Sequence, residues 1–372
     1  MHCLGNLRSW DCDTVVGIRV ILYNSPMNFW SYLIDEHALG DIFAAFPLWA
    51  LILAIAITVS LLSKGADWLV DGAVALAHRT GLPEILIGAT ILSLGTTAPE
   101  VFVSVMAAVL GNPALALGNG VGSIIADTGL VYGLTAMLAA PPVNKWILNR
   151  TGWWQIGSAL LLVGLSVIAL ISRPDNPVLG RPAGFLLVAL LFVYMGICYK
   201  WARSGKSISS LTTTDKGLEK DNEPLRVTIL ALIGGLLVVI IASRLLIPAA
   251  SETARRMGVS DDVIAATMVA LGTSLPELTM AIVAIRKGHP EITVGNIVGA
   301  DVLNALFVIG AASLAVPLAI PPTFFRFHFP VMLIILISFR AFIGMNRQFR
   351  RWQGGWLLFI YLAYIVLQYL FI

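Results

Sequence analysis

The sequence predicts an all-α polytopic membrane protein of about ten transmembrane helices, arranged as two inverted five-helix repeats. Three observations predict it. Hydrophobic residues make up 58% of the 372-residue chain and charged residues only 12%, against about 45–50% and about 25% in an ordinary globular chain. At a mean hydropathy of +0.86, that apolar content fills roughly ten spans of about 20 residues. The apolar runs follow one another with short polar punctuation, interrupted once by a hydrophilic segment near the middle. Finally, residues 87–133 align without gaps on residues 264–310, at a constant offset of 177. Together these exclude a soluble enzyme, a disordered scaffold and a nucleic-acid binder. A formal charge of +3 is too small to imply an acidic partner.

Residues 1–45 read as an N-terminal extension. Its first 26 residues carry Arg8, Asp11, Asp13 and Arg19 without an apolar core of signal-peptide length, and Met27 is a candidate start. Cys3 and Cys12 lie in this tail and Cys198 in an apolar run, with no metal-type spacing. The first repeat, 46–200, offers spans near 47–77, 83–109, 114–139, 153–172 and 180–200. Residues 201–225 form a charged, Ser/Thr-rich loop whose composition is that of a linker. The second repeat, 226–372, offers spans near 226–256, 261–286, 291–317, 322–344 and 353–371.

Lys and Arg set the expected orientation. With the 201–225 loop in the cytoplasm, the loops on that side hold 15 Lys and Arg, and the opposite loops hold five: Arg173, Arg181, Arg255, Arg256 and Arg326. Both termini then face away from the cytoplasm, in what is expected to be a bacterial or archaeal cytoplasmic membrane. Because five spans is an odd number, the second half runs upside down relative to the first.

The repeat carries chemistry. Of its 47 positions 17 are identical, including Gly95, Thr96, Pro99, Glu100, Gly111, Pro113, Gly118, Asn119 and Gly122. Repeated polar residues at membrane depth in inverted halves are the pattern of an alternating-access transporter. GTTAPE (95–100) and GTSLPE (272–277) each sit midway through an apolar run. Proline brings no N–H and displaces the carbonyl one turn back, and the preceding glycine loosens the helix further. The freed carbonyls must face the interior, since lipid cannot satisfy them. Thr96, Thr97, Thr273 and Ser274 add hydroxyls, and Glu100 and Glu277 place carboxylates beside the opened backbone. Hard cations take such a mixture of carboxylate, hydroxyl and carbonyl oxygens. A carboxylate at mid-bilayer costs about 2.5–3.5 kcal/mol on insertion scales, so two related ones point to ion binding rather than to structure. Lys64 and Arg244 are the cationic residues lying mid-run nearby.

The second cluster is GNGVGSIIADTG (118–129) and GNIVGADVLNAL (295–306). Asp127 and Asn304 each follow their glutamate by 27 residues, and Ser123 lies one helical turn before Asp127. Gly122 and Gly299 permit close helix approach, and Asn119 and Asn296 suit hydrogen bonds between helices.

These motifs resemble those of the cation/calcium antiporter superfamily, specifically the sodium/calcium exchangers, whose two α-repeats carry GTSxPE and GSNxxN. GADWLVDGA (65–73) is similar to that family's first span. The resemblance implies the exchanger fold, with spans 2, 3, 7 and 8 forming the ion sites. Carried over by position, Glu100 and Glu277 are shared Ca²⁺ and Na⁺ ligands, with Asp127, Asn304, Thr96, Thr97, Thr273, Ser274 and Ser123 around them. The middle Asn of GSNxxN is replaced by Ile124 and Asp301, and its second Ser by Ala300. Asp301 is thus an additional acid, either touching an ion or serving helix packing or gating.

The expected activity is secondary active exchange of Ca²⁺ for Na⁺ at a central acidic site, with H⁺/Ca²⁺ antiport as the alternative. No cofactor is expected, since the ions are cargo. The partners are those ions and the lipid bilayer, not nucleic acid; oligomeric state is left open, a monomer being sufficient. An intramembrane acid hydrolase needs an Asp dyad sharing a proton, which glutamate repeats rich in Thr and Ser do not supply. A passive channel needs a ring of like groups from several subunits. Glu84, Asp261 and Asp262 stand where spans begin, as helix caps do. Asp67, Asp71 and Glu252 are expected to be structural, and His289 and His328 have no metal-ligand partner at useful spacing. Trp153, Trp154, Trp352 and Trp356 suit interfacial anchoring.

Overall fold

In the computed structural model, residues 40, 42–109, 111–139, 141, 145–204, 224–258, 274–345 and 348–371 are described. Of the expected tail and linker, residues 1–39, 41 and 205–223 lie outside the described residues, as do Asp261, Asp262 and Thr273, whereas residues 201–204, expected in the linker, continue the helix Arg181–Ser204. The first half contributes α1 (Leu48–Thr80), α2 (Glu84–Val109), α3 (Pro113–Ala139), α4 (Lys145–Ser172) and α5 (Arg181–Ser204). The second contributes α6 (Leu225–Arg256), α7 (Leu275–Arg286), α8 (Pro290–Ala315), α9 (Phe324–Met345) and α10 (Arg351–Phe371). Among the described residues eight helices are long and apolar enough to cross a membrane. The other two are α7, of which 12 residues are described, and α10, a 21-residue helix carrying Arg, Trp, Tyr and Gln. α4 begins at Lys145, ahead of the expected 153, so Trp153 and Trp154 lie within the helix. Trp153 remains exposed on its flank, as do Trp352 and Trp356 on α10.

Matching residues make matching turns in the two halves. Gly111 (φ +90°) closes α2 and Gly288 (φ +82°) closes α7, each in the left-handed region that favours glycine. Pro113 and Pro290 then occupy the first residues of α3 and α8, where the missing N–H costs nothing.

The connections divide between two faces. On one, a short antiparallel pairing of β1 (Val178–Leu179) and β2 (Leu318–Ala319) ties the α4–α5 turn to the α8–α9 turn. Arg256 Nη2 donates to the carbonyl of Ala44 on that same face. On the other, the Phe349 N–H donates to the carbonyl of Pro141. There His289, in the α7–α8 turn, pairs with Glu84 at 2.9 Å, and Lys287 pairs with Asp71 at 2.7 Å and with Asp67 at 3.4 Å. The matching α2–α3 and α7–α8 turns therefore lie on opposite faces, as inverted halves require. Glu84 does not cap its helix. Pro83 holds the capping position without a side-chain bond, and the Glu84 carboxylate turns to His289. Glu252 is held by Arg255 and Arg256 on its own helix.

Two main apolar clusters organise the interior, beside a small one of Phe43, Leu51 and Ala249. The largest unites α2–α5 with α8–α10, and the second seats α1 and α6 against α2, α7 and α8. α1 and α6 pack on each other through glycines: a Cβ at Gly235 would meet Leu69 N at 2.6 Å and Gly65 O at 2.7 Å. α2 and α8 cross as closely. A Cβ at Gly299 would meet Ala89 O and Ser93 Oγ, both at 2.6 Å, and one at Gly88 would meet Ile292 O at 2.5 Å. Gly122, in contrast, has no described atom within 4 Å of its Cβ position.

Candidate ion-binding site

Four helices bring the predicted residues to one buried region. α2 is interrupted at Thr97, whose backbone (φ −81°, ψ −6°) turns between the segment ending at Thr96 and the one starting at Ala98. Pro99 brings no N–H to the Gly95 carbonyl one turn back, and Glu100 enters the first turn of the new segment. α7 starts the same way, with Ser274 at its cap and Pro276 and Glu277 in its first turn. On α3 and α8 the helix widens instead. Asp127 opens a π-helical turn (Asp127–Tyr132) and Asn304 opens another (Asn304–Val308). Such turns swing a side chain inward without breaking the span.

Glu100, Glu277, Asp127, Asn304, Thr96, Thr97, Ser123, Ser274 and Asp301 are all buried. Glu277 lies within electrostatic reach of both Glu100 and Asp127, with Thr96 beside it. Ser274 stands next to Asp127 but outside hydrogen-bonding geometry. Arg244 of α6 is the cation within reach of Glu100. Asn304 Nδ2 donates to Asp127 Oδ2 at 3.4 Å, and the Thr96 hydroxyl donates to Asn296 Oδ1 at 3.4 Å.

Buried polar atoms are paired in the large majority of cases, so unpaired ones call for an explanation. Here they concentrate: Thr97 Oγ1, Glu100 Oε2, Ser123 Oγ, Asp127 Oδ1, Ser274 Oγ, Glu277 Oε2 and Asn304 Oδ1 have no hydrogen-bond partner. These seven oxygens from four helices, three of them on carboxylates, are of the hard kind that such cations take. Among the described residues no three Asp, Glu, His or Cys side chains converge as the ligands of a resident metal do. The carboxylates act on one another through the field.

Asn119 takes a structural part, its Nδ2 donating to the Glu100 carbonyl at 3.3 Å and to Ser104 Oγ at 2.9 Å. Asp301 points aside: Thr128 Oγ1 and Gln155 Nε2 both donate to its Oδ2. Gln155 and Thr128 are polar residues that the sequence reading did not single out. A lone Gln on an apolar helix outside the repeat has no spacing to mark it.

Comparison with known proteins gives the family. The family model for sodium/calcium exchanger protein matches residues 50–200 and 227–370. The chain belongs to the sodium/calcium exchanger family. Among its relatives, the sodium/calcium exchanger MaX1 of Methanosarcina acetivorans is 27% identical over 83% of this chain and 95% of its own length. The inner membrane protein YrbG of Escherichia coli is 33% identical over 74% of this chain and 82% of its own. A solved structure of the sodium-calcium exchanger NCX_Mj, soaked with Na⁺ and Sr²⁺, superposes with a TM-score of 0.70 at 26% identity, covering 86% of this chain and 99% of that one. This member of the family is accordingly a multi-pass exchanger-type transporter with the exchanger fold, two inverted five-helix halves, and not an enzyme.

Proposed function

We propose that the protein exchanges Ca²⁺ for Na⁺ across its membrane by alternating access at the Glu100–Glu277–Asp127 centre. The observation that carries this reading is the set of seven unpaired buried oxygens gathered from α2, α3, α7 and α8. Glu100 and Glu277 are the shared ligands; Asp127, Asn304, Thr96, Thr97, Thr273, Ser274 and Ser123 complete the coordination.

The charge balance explains the coupling. Three carboxylates can hold one Ca²⁺ or several Na⁺, so the two ions compete for one set of oxygens. An unloaded site of that charge is costly to carry through a low-dielectric barrier, so only loaded states cross readily. α1 and α6 are the moving pair. They adhere to each other through glycine contacts and sit on the remaining helices through a separate apolar cluster. Residues 46–200 and 226–372 act as the two exchanging halves, joined by the 201–225 loop. The bias of 15 Lys and Arg against five supports a cytoplasmic loop and termini on the opposite side.

The test is ⁴⁵Ca²⁺ flux into proteoliposomes at fixed pH, with a Na⁺ gradient, a proton gradient or neither, for the wild type and Glu277→Gln. Na⁺-driven uptake in the wild type, lost in the variant, is the expected result. Uptake driven by protons alone transfers the reading to H⁺/Ca²⁺ antiport, and unchanged flux in the variant removes the central assignment.

A further inference from the structure

Asp301 is a buried acid that the exchange centre does not use and, unlike Glu252, that no ion pair among the described residues holds. It sits on α8 and accepts hydrogen bonds from Thr128 on α3 and Gln155 on α4, and all three side chains are buried. α4 supplies nothing to the central site. Gln155 Nε2 also donates to Thr128 Oγ1 at 3.3 Å, so amide and hydroxyl together solvate a single carboxylate oxygen, Asp301 Oδ2. The other carboxylate oxygen, Asp301 Oδ1, has no partner, and neither has Gln155 Oε1. None of the ion pairs among the described residues involves Asp301. A carboxylate in a span with half its oxygens unsatisfied and no cationic side chain is costly. A helix-packing role is served as well by Asn at no charge.

We infer that Asp301, Gln155 and Thr128 form a lateral site for one monovalent alkali cation, separate from the central one. Charge sets the valence: one carboxylate among neutral oxygens balances a single positive charge, whereas the centre offers three carboxylates. The oxygens are the hard donors such an ion takes. Gln155 serves both states of the site. With the ion absent, its N–H groups solvate the carboxylate; a half-turn of the amide presents Oε1 to the ion without a change of shape. Asp127 lies within electrostatic reach of Asp301, so a cation held here raises the potential at the centre and opposes Ca²⁺ there. The lateral ion thereby weakens cation binding at the centre. That coupling rests on the exchange reading, but the existence of the site does not, and the two are tested separately.

The experiment is equilibrium binding of ²²Na⁺, with ⁸⁶Rb⁺ as the second probe, to the purified full-length protein in detergent. The background is Glu277→Gln, which disables the centre. One saturable alkali ion per chain is expected to remain in that variant. Adding Asp301→Asn is expected to abolish it, and adding Gln155→Met to weaken it at least tenfold. Asp301→Asn conserves shape, and Tm reports folding; should it unfold, Gln155→Met decides. No saturable ion in Glu277→Gln, or one unaffected by the added substitutions in folded protein, overturns the proposal. Failure of the exchange reading shows instead as absent Na⁺-driven ⁴⁵Ca²⁺ flux in the wild type, whatever the binding experiment returns.

Discussion

Asp127 and Asn304, 177 residues apart, each begin a π-helical turn and meet each other, Asn304 Nδ2 donating to Asp127 Oδ2 at 3.4 Å. Equivalent positions of the two halves thus touch, which places the pseudo-two-fold relation inside the site. One partner is an acid and the other an amide, so this pair carries its charge on the first half alone. Asp127 Oδ1 and Asn304 Oδ1 both remain without partners, leaving one oxygen from each half for an ion.

Exchanging the two residues tests that equivalence. Asp127→Asn alone reduces the central carboxylates from three to two, and the Ca²⁺ concentration for half-maximal uptake should rise about tenfold, or about 1.4 kcal/mol. The double variant Asp127→Asn/Asn304→Asp restores the charge at the mirrored position and should recover to within about threefold of wild type. Proteoliposome ⁴⁵Ca²⁺ uptake reads both. A double variant as weak as the single one would show that the two positions are not interchangeable.

Thr97 and Ser123 separate function from stability. Their hydroxyls make no hydrogen bond within the protein although both are buried. Thr97→Val and Ser123→Ala therefore break no internal bond and remove an unsatisfied polar atom, worth about 1–3 kcal/mol when stranded. Tm in detergent should hold or rise while Ca²⁺ affinity falls several-fold. A drop in Tm with unchanged affinity would assign these hydroxyls to packing.

Gly299 tests the α2–α8 crossing. Its Cβ position lies 2.6 Å from Ala89 O and 2.7 Å from Ala89 Cα, and backbone cannot step aside as a side chain can. Gly299→Ala should cost about 1–3 kcal/mol and displace the helix that carries Glu100, lowering both Tm and exchange. Gly196→Ala, on an exposed flank of α5 with nothing within 4 Å, should leave both unchanged or raise Tm slightly. Equal behaviour of the two variants would mean that the crossing is looser than these distances.

The parts of the site that were legible in advance are those the repeat duplicates. Glu100 and Glu277 stand out because an expensive residue recurs at a fixed offset, and Pro99 announces the break beside Thr97 through its missing N–H. The π turns at Asp127 and Asn304 left no trace, because a one-residue shift in backbone pairing needs no special composition. Gln155 stayed hidden because its partner Asp301 lies on another helix 146 residues away. Glu84 misled for a local reason: an acid at a helix start suits capping, yet Pro83 already held that place and His289 offered a partner from the other half.

That partner gives the protein a pH dependence of defined sign. His289 lies in the α7–α8 turn, outside the spans, and its hydrogen bond to Glu84 holds its pKa above the ordinary 6.5, against partial burial, with Asp71 adding and Lys287 opposing. Protonation is therefore favoured by folding. The stabilisation is complete below about pH 6.5, the unfolded value, and is lost as pH rises through the higher folded value. Both side chains keep some contact with solvent, so the contribution stays under about 1 kcal/mol. Glu291 also faces this pair. Wild-type Tm should thus decline by a few degrees from pH 6 to pH 9 relative to His289→Gln, whose profile should be flatter over that window. Parallel profiles for the two proteins would remove His289 from the account and leave the contact between α2 and the α7–α8 turn to packing alone.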